Sequence, residues 1–488
     1  MKQRLIFLLL FVGLSETALP QQVEWSSMER FRNKTAYNRV IGSNEHGYYV
    51  LRSKGYDIRH NVIIERYRES LGMDFSKKLP DMRGTELVNA FVTEIGIVLW
   101  KSRYNRQTEK LELFIEHLDT EGEPTGRPIP LLIAQPRNYS DDGDFSVTEN
   151  QAGTHYVVTY SEMAPEGKSY LNVQVFDRRL ERVSSRRQIL EFEGKDFEIN
   201  QILVDSLGQV FLLVSGVNPD MKKGTPERIG IHLFAMNTHS DWFDFYLNFE
   251  DTYIHSPIMV LDDSNDRVLV SGLYSLLNRK QCKGTLEFAI RRPDFQLLRH
   301  TFIPFSSEFV RDIGGPRAAE KEEELQDFVI RYMVVRSDGG YLLFGEEFSI
   351  AQQSYTYYVN GIAQVSSRSV YNYGKIFLLS YGPTQGLEWS KVISKGQSSV
   401  NDFGYYSSFT ICRRKDRIHI LFNDKLKGNG GVLNYTLYTD QVLEEEMLFG
   451  NQGAFISIVP SESKQLDANT VLIPTSKDRK FAFLKLTF

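Results

Sequence analysis

The sequence predicts an all-β chain folded as a β-propeller of eight four-stranded blades, with seven the alternative count, and a ring closed by an N-terminal strand. Three observations carry this expectation. A polar tetrapeptide ending in Gly, Asn or Asp, followed by a hydrophobic strand, recurs eight times along 488 residues. A second strand-like run follows every copy. Amphipathic helical patterning is almost absent; Glu320 to Gln326 is the best helical candidate, and it is short.

The copies run in order. Asn44-Glu-His-Gly47, Thr93-Glu-Ile-Gly96, Asn150-Gln-Ala-Gly153 and Asp205-Ser-Leu-Gly208 are the first four. Asp262-Asp-Ser-Asn265, Arg336-Ser-Asp-Gly339, Arg413-Arg-Lys-Asp416 and Leu466-Asp-Ala-Asn469 follow. Gly, Asn and Asp tolerate the positive φ that a tight hairpin turn demands, so each copy reads as the turn between a blade's first two strands, A and B. Successive fourth positions lie 49, 57, 55, 57, 74, 77 and 53 residues apart, a spacing that four short strands and their turns fill. Runs such as Leu111–Ile115, Leu171–Phe176, Leu286–Ile290 and Phe481–Leu486 supply third strands, and Trp242–Leu247 and Trp389–Ile393 supply fourth strands. Unrelated β-sandwiches would not need this regular phase.

Closure follows by subtraction. The eighth unit stops at Phe488 after its third strand, while Gln22-Val-Glu-Trp25 stands upstream of the first unit without an assignment. That segment is expected to pair beside the last strand and complete the ring.

At the N-terminus, Lys2 and Arg4 precede the apolar run Leu5–Leu14. As a helix it would span about 15 Å, half a bilayer, so residues 1–19 read as a signal peptide and residues 20–488 as the propeller domain. The expected location is therefore exported: periplasmic, envelope-associated or extracellular, with no transmembrane segment. A balance of 57 Lys+Arg against 62 Asp+Glu excludes the basic surplus of a nucleic-acid binder. Two cysteines, Cys282 and Cys412, are too few for a disulfide scaffold or a cysteine zinc site.

Loop growth points to a binding face. In a propeller the A–B and C–D turns share one face, and the B–C and D–A connections share the other. The A–B turns are all short. The enlarged spacings hold Ser307 to Gln326, a D–A connection, and Ala351 to Tyr373, a B–C connection, so both growths fall on the second face. Within the latter, Ser354–Val359, Asn360-Gly361 and Gln364–Tyr373 read as an extra hairpin. Tyr355, Tyr357, Tyr358, Arg368, Tyr371 and Tyr373 are the candidate binding residues, since tyrosine offers rigid area with a polar tip. The same composition also suits a hairpin packed on a neighbouring blade.

Catalytic signatures are sparse. There is no Gly-x-Ser-x-Gly elbow and no His-Glu-x-x-His helix. Gly167-Lys-Ser169 lacks the first glycine of a phosphate loop, and Asp141-Asp-Gly-Asp144 lacks the downstream glutamate of a calcium loop. His155, His232 and His419 fall inside strands and read as structural. No metal or cofactor is expected. Asn33, Asn138 and Asn434 match glycosylation acceptors.

The stretches Asp205-Ser-Leu-Gly-Gln-Val-Phe-Leu-Leu213 and Ser337-Asp-Gly-Gly-Tyr-Leu-Leu343 resemble the hairpins of secreted, largely uncharacterised propeller-repeat proteins common among Bacteroidota. That resemblance implies a fold and no activity. The expected function is non-catalytic binding of a protein or carbohydrate partner through the long-loop face, as a lone exported protein or within a cell-envelope assembly. The alternative is a secreted glycoside hydrolase or polysaccharide lyase with carboxylates gathered near the axis.

Overall fold

A computed structural model describes residues 22–488 apart from 31–35, 55–57, 59–60, 80–83, 136–144, 165–167, 193–196, 219–228, 249–250, 360–361, 385, 427–429, 450–456 and 478–479. The signal-peptide segment, the Asp141–Asp144 run, Gly167, Asn33, Asn138 and the Asn360-Gly361 turn lie outside the described residues.

Among the described residues, eight antiparallel sheets of four or more strands follow one another along the chain, each built in the order A-B-C-D. The first comprises Ala36–Asn44, Gly47–Lys54, Ile63–Tyr67 and Met73–Lys78, and the next four repeat the plan. The sixth comprises Phe328–Val335, Tyr341–Val359, Ile362–Tyr381 and Leu387–Ile393. The seventh comprises Thr410–Arg413, Arg417–Asn423, Val432–Tyr438 and Leu443–Phe449. Each blade buries its faces against its neighbours rather than on itself. Apolar clusters join the first blade to the second, the second to the third, and so on to the seventh and eighth. One more joins Leu472 and Phe483 of the eighth blade to Val40, Tyr48 and Val50 of the first, which makes the packing cyclic.

The eighth blade takes its outer strand from the other end of the chain. Gln22–Trp25 pairs antiparallel with Leu484–Thr487, Ser26 exchanges hydrogen bonds with Phe483, and Glu29–Arg30 continues along Lys480–Phe481. Val23 packs into the core between the last two blades, and Trp25 meets the edge of Phe449 at 5.0 Å. This blade's inner strand is broken. Two pairs, Ser457–Ile458 and Lys464–Gln465, flank a single helical turn, Pro460–Glu462.

All eight tetrapeptides form A–B turns, but not all by one device. Gly47, Gly96, Gly153, Gly208 and Gly339 adopt positive φ. At Gly47 and Gly96 a Cβ would also sit 2.2 and 2.1 Å from a carbonyl oxygen of the third strand, which only glycine avoids. Asn265, Asp416 and Asn469 are not in that conformation, against expectation. In the fifth blade positive φ falls on Asp266, one position later. There and in the eighth, Asp262 and Asp467 accept backbone N–H bonds and close the turn as Asx turns.

The helical expectation needs correction. The helix α1 is Ser307–Gly314 and α2 is Pro316–Glu320, whereas Leu325–Gln326 is a short strand paired with Gln281–Cys282. Ser306 caps α1 by accepting from the Phe309 N–H, and Phe309, Val310 and Ile313 bury one face. Of the expected helical stretch only Glu320, the last residue of α2, is helical. Among the described residues no helix is long and apolar enough to cross a membrane.

Candidate functional site

The long connections gather on one face. The pairing of Gln281–Cys282 with Leu325–Gln326 ties the B–C connection of the fifth blade to the D–A connection that follows it. Lys375 Nζ then reaches the Ile313 carbonyl at 2.6 Å, tying the sixth blade's hairpin to α1.

That hairpin is not an extra element. It is the outward continuation of the sixth blade's B and C strands, which run 19 and 20 residues. The register holds from Phe348–Tyr373 to Val359–Ile362. A short strand, Gln397–Val400, pairs with Val370–Tyr373 and makes the inner half three-stranded. Asn401 marks where it ends, exchanging hydrogen bonds with Ser369. Beyond that point the ribbon has two strands.

The candidate tyrosines divide at this boundary. Tyr371 and Tyr373 are buried, packed against Phe403 and Phe348 respectively. Tyr355, Tyr357 and Tyr358 are exposed, with Tyr358 at 73%. Tyr355 and Tyr357 lie 6.1 Å apart on one face of the ribbon, and by strand alternation Tyr358 lies on the other. Arg368 donates to Gln353 at 3.1 Å and lies over Tyr355. Ile362 and Val365 are exposed beside them.

At the base of the hairpin sits a buried charge cluster. Glu346 accepts from Arg331 Nε at 2.8 Å, from Lys395 Nζ at 2.8 Å and from the Ser408 hydroxyl. The side chains of Glu346 and Lys395 have no solvent exposure, and burial lowers the Lys395 pKa against the pull of Glu346. One carboxylate thus holds two cations and fixes the position of Arg331.

Above this cluster lies the segment 401–409, which sequence reasoning did not single out. Asn401, Phe403 and Ser408 have φ of 53°, 57° and 72°, and Gly404 has 69°. Three non-glycine residues held in the left-handed region within eight positions is a concentration of backbone strain of the kind found at ligand sites. A Cβ on Gly404 would stand 2.2 Å from the Tyr373 hydroxyl oxygen. Phe403 is nonetheless 67% exposed. The segment borders an open cavity of about 820 Å³, lined by Arg331, Tyr332, Tyr373, Phe403, Ser407 and Glu462 among others. The Ser407 hydroxyl is buried there without a hydrogen-bond partner.

A smaller cavity of about 250 Å³ continues among the inner strands, past Arg39, Asn89 and Lys464. Lys464 Nζ donates to the Ile41 carbonyl at 2.5 Å. Glu149 lies close enough to feel its charge, yet burial pushes the Glu149 carboxyl up to about 7. Glu462 is the one carboxylate lining either cavity among the described residues.

Other residues of interest are structural. His155, His232 and His419 contact Thr154, Asp244, and Asn434 with Thr436, respectively. Both cysteines are buried free thiols, raised in pKa by burial, Cys412 to about 12. Asn434 is 1% exposed and inside a strand, so it offers no glycosylation site in the folded chain. Among the described residues no group of three or more His, Cys, Asp or Glu is placed to hold a metal ion.

No family model and no curated protein matches the chain. Solved structures do. The WD40 domain of SCAP from fission yeast is 9% identical with a TM-score of 0.42, covering 96% of this chain and 98% of that one. The β-propeller domain of the Trilobed protease from Pyrococcus furiosus, described as having an open velcro topology, is 10% identical with a TM-score of 0.35, covering 86% and 97%. A protein of unknown function from Bacteroides caccae is 10% identical with a TM-score of 0.30, covering 71% and 93%.

Proposed function

We propose that this chain is an exported, non-catalytic binding propeller that holds a protein partner on its long-loop face, with the tip of the sixth blade's hairpin as the main contact. One observation carries the reading. The two-stranded outer half of the hairpin, about 25 Å long at ~3.3 Å per residue, exposes apolar and aromatic side chains on both faces. A two-stranded ribbon is marginal in water, and exposed apolar area of this kind marks contact surfaces. A ribbon with aromatics on both faces suits a protein groove or sheet edge better than the one-sided platform on which a sugar stacks. The strained segment 401–409 and its cavity stand at the hairpin's base and extend the same face. Export is supported by the apolar run Leu5–Leu14 behind Lys2 and Arg4. A hydrolase or lyase at the axis would need paired carboxylates facing one cavity, and Glu462 has no such companion among the described lining residues.

The test compares the native chain with the triple variant Tyr355→Ser, Tyr357→Ser, Tyr358→Ser in co-purification from the producing cells and their medium. A stoichiometric protein partner recovered by the native chain and reduced at least ~10-fold by the variant, at unchanged melting temperature, supports the reading. Equal recovery by both overturns it.

A further inference from the structure

The opposite face, where the short turns gather, carries a second concave site that the loop-growth argument passes over. Between the fifth, sixth and seventh blades lies a cleft of about 650 Å³. It is bordered by the A–B turns Arg336–Gly339 and Arg413–Asp416 and by the seventh blade's turn at Thr439. Leu261, Val334, Leu342, Ile418 and Leu437 contribute apolar surface, and Trp389 lines it, half-buried.

The charges lining this cleft balance in number, five cations against five carboxylates, but not in position. Its carboxylates are already matched: Asp338 and Glu388 hold Arg336, and Asp416 holds Arg417. Asp262 pairs with Arg267 at 2.7 Å and Asp263 with Arg292 at 2.6 Å. Three cations on one rim are left over. Arg413 and Lys415 have no carboxylate partner among the described residues. Arg414 approaches Asp416 only at 3.9 Å, and its Nε is buried without a hydrogen-bond partner.

From this arrangement we infer that the cleft binds an acidic peptide segment, with its carboxylates on Arg413, Arg414 and Lys415 and a neighbouring apolar side chain on the floor beside Trp389. The floor requires an apolar group within a few ångströms of the anion, which alternating acidic and apolar peptide residues supply. A longer polyanion such as a nucleic acid or sulfated polysaccharide would run from the cationic rim onto Asp338, Glu388 and Asp263 and be repelled there. The site is independent of the long-loop face. A chain with both would bridge two partners on opposite faces of one ring.

The experiment uses the full chain and fluorescence anisotropy of a labelled acetyl-Glu-Leu-Glu-Phe-Glu-amide peptide, with the Lys-Leu-Lys-Phe-Lys peptide and dextran sulfate as comparison probes. The double variant Arg413→Glu/Lys415→Glu changes exposed turn residues. The control Lys280→Glu/Arg311→Glu makes the same change of charge on the opposite face. The proposal expects saturable, salt-sensitive binding of the acidic peptide, weakened at least ~10-fold by the turn variant and within ~2-fold in the control. It is overturned if the acidic peptide binds no better than the basic one, if both variants weaken it equally, or if dextran sulfate alone occupies the site.

Discussion

The backbone N–H of Asn38 donates to the hydroxyl of Tyr405 at 3.3 Å, across 367 residues of chain. Asn38 belongs to the inner strand of the first blade, Tyr405 to the connection between the sixth and seventh. Asn423 also donates to the Tyr406 carbonyl at 2.7 Å and to the Ile458 carbonyl at 2.9 Å. The segment 401–409 therefore reaches from the sixth blade to the first, beside the broken inner strand of the eighth. Strain at Asn401, Phe403 and Ser408 is tolerated because these long-range contacts over-determine the path.

That arrangement separates stability from binding at one residue. Phe403→Gly removes a side chain from the left-handed region, a gain of about 1 kcal/mol that offsets the loss of its contact with Tyr371, while deleting a largely exposed ring of the proposed contact face. Melting temperature should hold or rise and partner recovery should fall. Gly404→Ala should act in the opposite sense on stability, costing roughly 1–3 kcal/mol through its φ of 69° and the clash with Tyr373. Thermal unfolding of both variants beside the binding assay checks the pair, and a Phe403→Gly protein that melts lower would contradict the strain argument.

The pairing of the N-terminal strand with the eighth blade is expected to make residues 22–30 part of the whole domain's cooperativity. Deleting residues 20–30 uncovers Leu484 and Leu486 and removes Val23 and Trp25 from their packing, at a cost of about 3–5 kcal/mol. Circular dichroism and limited proteolysis should register one lowered transition for the whole protein. Unchanged melting would show that the strand is an ornament of the eighth blade.

What was legible in the sequence was mostly local. The A–B turns announce themselves because a turn needs particular residues at adjacent positions, and the pairing of Gln22–Trp25 followed because one segment was left over where one was missing. Apart from that strand, features made by distant pairing were not legible. Tyr371 and Tyr355 look alike in sequence, yet Gln397-Ser-Ser-Val400, which carries no strand pattern, covers the one and leaves the other bare. Phe403 gives no local sign of positive φ, since the path of its segment is held by distant residues, Tyr371 against its ring and Asn38 and Asn423 on Tyr405 and Tyr406. The helix lies upstream of Glu320–Gln326, where the cap at Ser306 and the buried residues Phe309, Val310 and Ile313 set it. The short-turn cleft had one visible signal, the run Arg413-Arg-Lys-Asp416, whose turn geometry was read and whose charge was not.

The buried trio below the hairpin predicts an asymmetry between two substitutions. Glu346→Gln leaves Lys395, fully buried, and Arg331 without their shared carboxylate, and should cost about 3–5 kcal/mol. Lys395→Met leaves Glu346 with Arg331 and Ser408 and should cost markedly less. Denaturant unfolding of the two variants tests this. Equal costs would mean that Arg331 does not neutralise Glu346 by itself.

Stability should depend on pH through two groups of opposite sign. The His419 ring stacks on Phe488 at 3.7 Å, and burial pushes its pKa down to about 4. Between pH about 6.5 and 4 the unfolded chain holds a proton there that the native chain does not, so stability is lost as pH falls through that window, by about 3 kcal/mol. Burial raises Glu149 to about 7, with Lys464 pulling it down only in part. Between pH about 4.5 and 7 the native chain holds a proton there that the unfolded chain lacks, so this contribution is lost as pH rises. Glu149→Gln should flatten the decline towards pH 7. His419→Gln should reduce the loss below pH 6.5 without abolishing it, because burial also lowers His255 and His300. Melting temperatures of the native chain and both variants at pH 4.5, 5.5, 6.5 and 7.5 resolve the two slopes. A His419→Gln variant with an unaltered acid limb would mean that the ring on Phe488 takes up its proton as readily in the native chain as in the unfolded one.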